Sequence, residues 1–256
     1  MTDGLFVYVL DGGRIEILDW SVFASGQTPG TKRVLADPCY LIRHPAGTLV
    51  WDTGVGDVIA GETEGRLVKD FAVFHVDTPL GRQLEEVGTV PGEVTYLALS
   101  HLHPDHVGNV DLFPSATLLL QRDEYESVFG TDSTGEGLEP RVLSSLRGNP
   151  VQLLDGDHDV FGDGSVVVKA LPGHTVGSQS LLVRLASGAV LISGDIAHSE
   201  SNWSNRVVPT FNVDAERSLA SMEAAAAILE QEQATLWIQH EANQFHSLRK
   251  PPDSYR

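Results

Sequence analysis

The chain has 256 residues, with 35 Asp and Glu against 17 Lys and Arg and a formal net charge of −18. That length suits one large domain with a sizeable core, and a field of that sign repels phosphate backbones and anionic lipid, so neither nucleic acid nor a membrane surface is an expected partner. No run approaches the roughly 20 apolar residues of a membrane-spanning helix. The start Met1-Thr2-Asp3-Gly4 lacks the basic and apolar regions of a secretory leader, so cytoplasmic residence is the expectation.

Leu5–Leu10 and Arg14–Leu18 read as strands separated by a turn at Asp11-Gly12-Gly13. Cys39–Arg43 and Thr48–Asp52 read as a second pair around Pro45-Ala46-Gly47. Cys39, the single cysteine, lies in an apolar strand and reads as core packing. Residues 55–76, rich in Gly and Glu, read as an irregular loop of the length used for lids and binding loops. Leu80, Leu84 and Val87 predict a helix over Pro79–Val87. A strand over Val94–Ser100 delivers His101 at its C-terminal end, Thr117–Gln121 is another strand, and Asp123–Phe129 is a short helix capped by Asp123. The Gly/Ser-rich stretch 130–149 reads as loop. Val151–Leu154, Ser165–Leu171, Ser180–Leu185 and Ala189–Ser193 give a second β-rich half. Asp214 caps a helix over about 215–232 with Leu219, Met222, Ala226 and Leu229 on one apolar stripe, and Leu236–Gln239 is the last strand. No linker divides the chain, so one domain over 1–256 is expected.

The richest segment is Ser100-His101-Leu102-His103-Pro104-Asp105-His106. It places three imidazoles and a carboxylate within six residues, the donors that zinc prefers. Further candidates sit where apolar strands end: His174 in Pro172-Gly173-His174-Thr175, Asp195 after Val190–Ser193, and His240 after Leu236–Gln239. Strand ends on one sheet edge bring such side chains together. Two ions held about 3.5–4 Å apart activate water and polarise a substrate oxygen. No Gly-x-Ser-x-Gly elbow is present, so the expected chemistry is metal-assisted hydrolysis.

His101-x-His103-x-Asp105-His106, Gly173-His174-Thr175, Asp195 and His240, with Asp52-Thr53-Gly54 after Val50-Trp51, resemble the metallo-β-lactamase superfamily in order and spacing over about 190 residues. The resemblance implies an α/β fold, the αβ/βα sandwich, with a dinuclear site at one edge. It implies that His101, His103 and His174 hold one divalent ion, that Asp105, His106 and His240 hold a second, that Asp195 bridges them, and that Asp52 orients a ligand from behind. Zinc is the usual metal of the family, and iron, manganese or cobalt suit the same donors.

Thr28-Pro29-Gly30, Pro38-Cys39-Tyr40-Leu41, Leu118-x-x-Gln121-Arg122-x-Glu124-Tyr125 and Gly177-Ser178-Gln179-Ser180-Leu181 are similar to the N-acyl homoserine lactonase branch. That branch opens the lactone ring of bacterial quorum signals, and the resemblance implies attack of a metal-bridging hydroxide on the lactone carbonyl. Asp105 and His198 are the catalytic candidates. His198 stands where the branch often has a tyrosine, three residues after the bridging Asp, and Pro104 stands where it often has an aromatic residue. Trp20, Phe23, Phe71 and Phe74 are candidates for an acyl groove and equally for ordinary core. His44, His75, His158 and His246 fit no ligand pattern and read as surface residues. A neutral lactone or ester is the expected partner, and a homodimer is compatible with the sequence.

Competing readings are an organophosphate or aryl-ester hydrolase, whose substrates are also neutral, and a glyoxalase II-like thioesterase. The thioesterase requires a basic patch for which Arg249-Lys250 is thin. A redox di-iron protein and a binding protein with an inactive site are further from the ligand pattern.

Overall fold

A computed structural model describes residues 4–131 and 138–256. Its first sheet has eight strands: β1 (Phe6–Ile17), β2 (Arg33–His44), β3 (Gly47–Trp51), β4 (Arg66–Val68), β5 (Ala72–His75), β6 (Tyr96–Ala98), β7 (Thr117–Gln121) and β8 (Val151–Leu154). They lie in the order β4-β5-β1-β2-β3-β6-β7-β8. The second sheet takes β9 (His158–Asp159), β10 (Val166–Ala170), β11 (Gln179–Leu185), β12 (Gly188–Ile192) and β13 (Thr235–Trp237), in the order β13-β12-β11-β10-β9. The helices are α1 (Leu80–Glu86), α2 (Arg122–Phe129), α3 (Pro140–Gly148), α4 (Glu200–Asn205), α5 (Ala215–Glu232) and α6 (Ala242–Ser247).

Strand alternation sorts apolar side chains onto opposite faces, so each sheet has an inner and an outer core. Tyr40, Ile42 and Trp51 of the first sheet meet Val168, Leu181 and Trp237 of the second between the layers. On the outer face of the first sheet, Leu41, Leu97 and Leu118 pack under Leu80 and Leu84 of α1 and Val142 and Leu146 of α3. On the outer face of the second, Leu182 and Leu191 pack under Ala225 and Leu229 of α5. The result is the expected αβ/βα layering.

Several elements differ from the sequence-based expectation. The first two strands are one strand, β1, because Asp11-Gly12-Gly13 forms a bulge rather than a reversal and pairing with β2 resumes at Arg14↔Ala36. Gly12 has to be glycine there, since a Cβ would lie 2.5 Å from both the Asp37 carbonyl oxygen and Cys39 Sγ. Cys39 itself is fully buried. Within 55–76, β4 and β5 form a hairpin that extends the sheet from β1, with Ile15 opposite Phe74.

Arg122, not Asp123, opens α2, and Asp123 sits in the first turn, where a negative charge suits the helix dipole. Residues 140–148 of the expected loop are α3, begun by Pro140 at its first position and buried through Val142 and Leu146. Residues 132–137 of that loop and 1–3 of the N-terminus lie outside the described residues. Asp214 caps α5 as expected, accepting Arg217 N–H at 2.9 Å. Its fully buried face, however, is Ser218, Ser221, Met222 and Ala225, with Leu219, Ala226 and Leu229 half-buried. Small residues are needed there because the helix lies on the 172–174 backbone: Ser221 Oγ donates to Pro172 O at 2.6 Å. Of the four histidines expected at the surface, His246 is exposed, while His44, His75 and His158 are half-buried; His44 stacks on Phe161 at 4.2 Å.

Candidate metal centre

Parallel β3 and β6 end side by side, with Trp51 paired to Ala98, and parallel β12 and β13 pair Ile192 with Trp237. Their C-terminal ends, with that of β10, feed the loops carrying Asp52, His101–His106, His174, Asp195 and His240. Backbone bonds fix these loops to one another. Asp52 N–H donates to Ala98 O at 3.0 Å, Thr53 N–H to His106 O at 2.8 Å, and Gln179 N–H to Ser100 O at 2.9 Å across the two sheets.

The side chains converge in two groups. Donor atoms of His101, His103, His174 and Asp195 lie within 4.8 Å of one another, as do those of Asp105, His106 and His240. Asp195 faces both. Its Oδ2 is 3.3 Å from His174 Nε2 and 3.7 Å from His101 Nε2, and its Oδ1 is 3.0 Å from His240 Nε2 and 3.5 Å from His106 Nε2. Asp105 Oδ2 lies 3.7 Å from His106 Nε2 and 3.8 Å from His240 Nε2. A tetrahedral shell with bonds of about 2.0–2.2 Å spaces its donors about 3.3–3.6 Å apart, so the spacings match two such shells sharing one carboxylate.

Four imidazoles are held from behind by the other ring nitrogen. His106 Nδ1 is 2.9 Å from Asp52 Oδ2, His174 Nδ1 is 2.9 Å from Asn212 Oδ1, His240 Nδ1 is 2.8 Å from Ala36 O, and His101 Nδ1 is 3.0 Å from Ser100 Oγ. With Nδ1–H donating outward, each Nε2 lone pair points into the cluster, the arrangement that orients a metal-binding imidazole. His101 Nε2, His106 Nε2 and Asp195 Oδ1 are buried and have no hydrogen-bond partner among the described residues. Buried polar atoms demand partners, and the donor set fits divalent cations.

Electrostatics separate the two groups. Burial above all holds His101, His103 and His174 below the ordinary imidazole range. Burial acts the same way on His106 and His240, but Asp195 and Asp105 overcome it, holding His106 well above that range and His240 up at about 9. At Asp195 the surrounding imidazoles, His198 foremost and then His240, His106 and His174, outweigh burial and hold its carboxyl well below the usual range.

His198 Nε2 sits 3.0 Å from Asp195 Oδ2, and its ring meets Phe23 edge-on at 5.1 Å. A cavity of about 350 Å³ opens from the cluster, with Asp105, His198 and His240 at one end and Leu35, Phe23, Phe71, Phe74 and Phe211 along its walls. Three of the four aromatic candidates line it. Trp20 does not; it stacks behind Phe23 at 4.7 Å. Pro104 is part of the wall.

Phe211 and Asn212 escaped sequence reasoning because they lie in an aperiodic loop before α5. Glu124, within the Leu118–Tyr125 motif, has a role that only the tertiary structure shows. Its buried carboxylate accepts Leu102 N–H at 2.9 Å and Gly177 N–H at 3.0 Å, tying the His101–His106 loop to the turn after His174.

Residues 34–229 match the family model of the metallo-β-lactamase superfamily. Over 264 aligned positions covering all of both chains, the protein is 31% identical to the N-acyl homoserine lactonase AttM of Rhizobium radiobacter. It is 27% identical to the N-acyl homoserine lactonase AiiA of Bacillus thuringiensis subsp. kurstaki, over 96% of this chain and 97% of the other. A solved structure of an N-acyl homoserine lactone hydrolase, with the product N-hexanoyl-L-homoserine at its catalytic metal centre, superposes with a TM-score of 0.85 at 27% identity over the whole of both chains. The chain belongs to the metallo-β-lactamase superfamily, in the branch that holds the N-acyl homoserine lactonases.

Proposed function

We propose that the protein is a dinuclear-metal lactonase that opens the ring of N-acyl homoserine lactones. His101, His103, His174 and Asp195 hold one divalent ion, and Asp105, His106 and His240 hold the second, with Asp195 shared. The observation that carries this reading is a two-shell donor cluster at the end of an apolar cavity, in a chain whose relatives bear the name of that activity. Zinc is the first choice, with iron, manganese or cobalt accepted by the same donors. Bound ions would supply Lewis acidity for the lactone carbonyl and water with a pKa near 7.

The chain's own residues do the rest. The aromatic walls take an apolar acyl tail and keep bulk water from the ring, and the substrate's neutrality avoids the repulsion an anion meets from a net charge of −18. Asp52, Asn212, Ala36 O and Ser100 keep the imidazoles in the ligating tautomer. His198 takes the place of the branch's tyrosine, with its Nε2 3.0 Å from Asp195 Oδ2 at the cavity end.

The test is hydrolysis of short- and long-tailed N-acyl homoserine lactones by metal-loaded enzyme, read by mass spectrometry. A gain of one water, abolished in Asp105→Ala and His240→Ala, is expected. Two bound ions without turnover of any lactone would sink the substrate assignment and bring phosphotriesters and aryl esters forward. His198→Ala with unchanged kcat/KM would remove His198 from the reaction.

A further inference from the structure

Lys69 is the only lysine or arginine among the described residues that line the cavity. The other lysines of the chain have partners: Lys32 pairs with Glu16 at 2.9 Å, Lys169 pairs with Asp157, and Lys250 donates to the main-chain oxygens of Phe245 and Leu248. Lys69 is exposed and has no ion pair among the described residues, in a chain with 35 acidic residues to choose from. Its backbone is held at a cost. Lys69 and Asp70, in the turn between β4 and β5, have left-handed φ values of 49° and 52°. Gly, Asn and Asp settle in that conformation readily, and lysine, with no short polar side chain to bond its own backbone, does not. Phe71 N–H closes the turn by donating to Val68 O at 2.9 Å, and Leu18 N–H ties it down by donating to Phe71 O at 3.1 Å. Val68 and Phe71, on either side of Lys69, line the cavity as well. Phe71 stacks on Phe23 at 5.6 Å, and Phe23 meets His198 at 5.1 Å. The turn thus stands two ring contacts from the donor cluster, and a lysine stem carries its ammonium about 6 Å from the backbone.

We propose that Lys69 sets the tail specificity of the lactonase, its ammonium donating to an oxo group on the third carbon of the acyl tail. The inference rests on the lactonase reading of the site. With the lactone carbonyl at the donor cluster, that carbon of an extended tail lies about 6 Å away, on the path towards the hairpin. The walls along that path are Phe23, Phe71 and Phe211, which offer apolar contact and no hydrogen bond. An oxo oxygen enclosed there loses its water and needs a donor in exchange. The ammonium of Lys69 therefore decides whether such a tail is favoured over a plain one or rejected. A neutral oxo group also meets no repulsion from the net charge of −18, as an anionic tail would.

The experiment measures kcat and KM for two N-acyl homoserine lactones of equal tail length, one with the oxo group and one without. The enzymes are metal-loaded wild type, Lys69→Met, Lys69→Asn and Lys69→Arg. The ratio of kcat/KM, oxo over plain, is expected to be about ten or more in wild type. It is expected to fall towards one in Lys69→Met and Lys69→Asn, chiefly through KM, and to persist in Lys69→Arg, which keeps a donor. Lys69→Asn is also expected to raise Tm, because asparagine suits the left-handed turn. A wild-type ratio near one, or a wild-type ratio that survives in Lys69→Met, overturns the inference. So does an equal loss on both lactones, which would put the ammonium on the amide they share. If wild type opens neither lactone, the lactonase reading fails and takes the inference with it, a result distinct from an unchanged ratio among active enzymes.

Discussion

Asp52 combines a strained backbone with two hydrogen bonds. Its φ of 54° is a left-handed conformation that costs an ordinary side chain about 1–2 kcal/mol. It bends the chain so that Oδ1 accepts Ser100 N–H at 2.6 Å while Oδ2 faces His106 Nδ1 at 2.9 Å. Asp52→Ala keeps the backbone problem and loses both bonds, leaving Ser100 Oγ, 3.1 Å from His106 Nδ1, to hold that ring in place of a carboxylate. We expect metal affinity to fall about 10–100-fold, measured by chelator competition, with the loss concentrated at the ion that His106 serves. Glu124 acts on the backbone instead, since each of its oxygens accepts one buried N–H. In Glu124→Gln the amide nitrogen cannot accept, and one N–H is left without a partner. Urea unfolding should show a loss of about 1–3 kcal/mol, and no loss would mean that the loops are held by other contacts.

At the scale of elements, the cavity depends on two segments that sequence periodicity describes poorly. Phe71 lies in the turn of the β4–β5 hairpin, and Phe211 lies in the loop before α5. The two rings meet edge-on at 5.9 Å, and both contact Phe23. An acyl tail in the cavity gains from these rings in proportion to its buried length. Phe211→Ala should therefore lower kcat/KM about tenfold for a long-tailed lactone, the value of roughly two buried methylenes, and leave a short-tailed one nearly unchanged. An equal loss for both would place Phe211 in positioning the ring rather than the tail.

The same contrast explains what was legible beforehand. The donors were readable because a contiguous His-x-His-x-Asp-His run and strand-end residues carry the pattern locally. The layered fold followed from apolar strands alternating with turns. The β4–β5 hairpin is built from strands of three and four residues, too short to show alternation. α3 was hidden by the Gly and Ser around it, although Val142 and Leu146 keep i, i+4 spacing. Asn212 and Glu124 act through tertiary neighbours 22 to 53 positions away, a relation no local window contains.

For the whole molecule, the two donor groups differ in protonation, and this sets the order of metal uptake. His101, His103 and His174 are kept neutral chiefly by burial and are ready to ligate. His106 and His240 are held protonated despite burial by Asp195 and Asp105, His240 up to about 9. A ligating imidazole must be neutral, so the second ion has to displace protons that the first does not. The sign for stability follows from linkage. His240 titrates higher in the folded chain than the unfolded value of about 6.5, so its pairing with Asp195 stabilises the metal-free protein fully below that value and ceases to as pH rises through about 9. Affinity for the second ion runs the other way and climbs over the same window. Equilibrium dialysis at fixed free Zn²⁺ should therefore pass from one ion per chain towards two as pH rises from about 6 to about 9. The Tm of metal-free protein should fall across that range while that of loaded protein holds or rises, since an ion at 100 times its Kd adds about 2.7 kcal/mol to the folded state. Two ions entering together, with no dependence on pH, would show that the groups titrate as one unit and that the division between them is lost when metal binds.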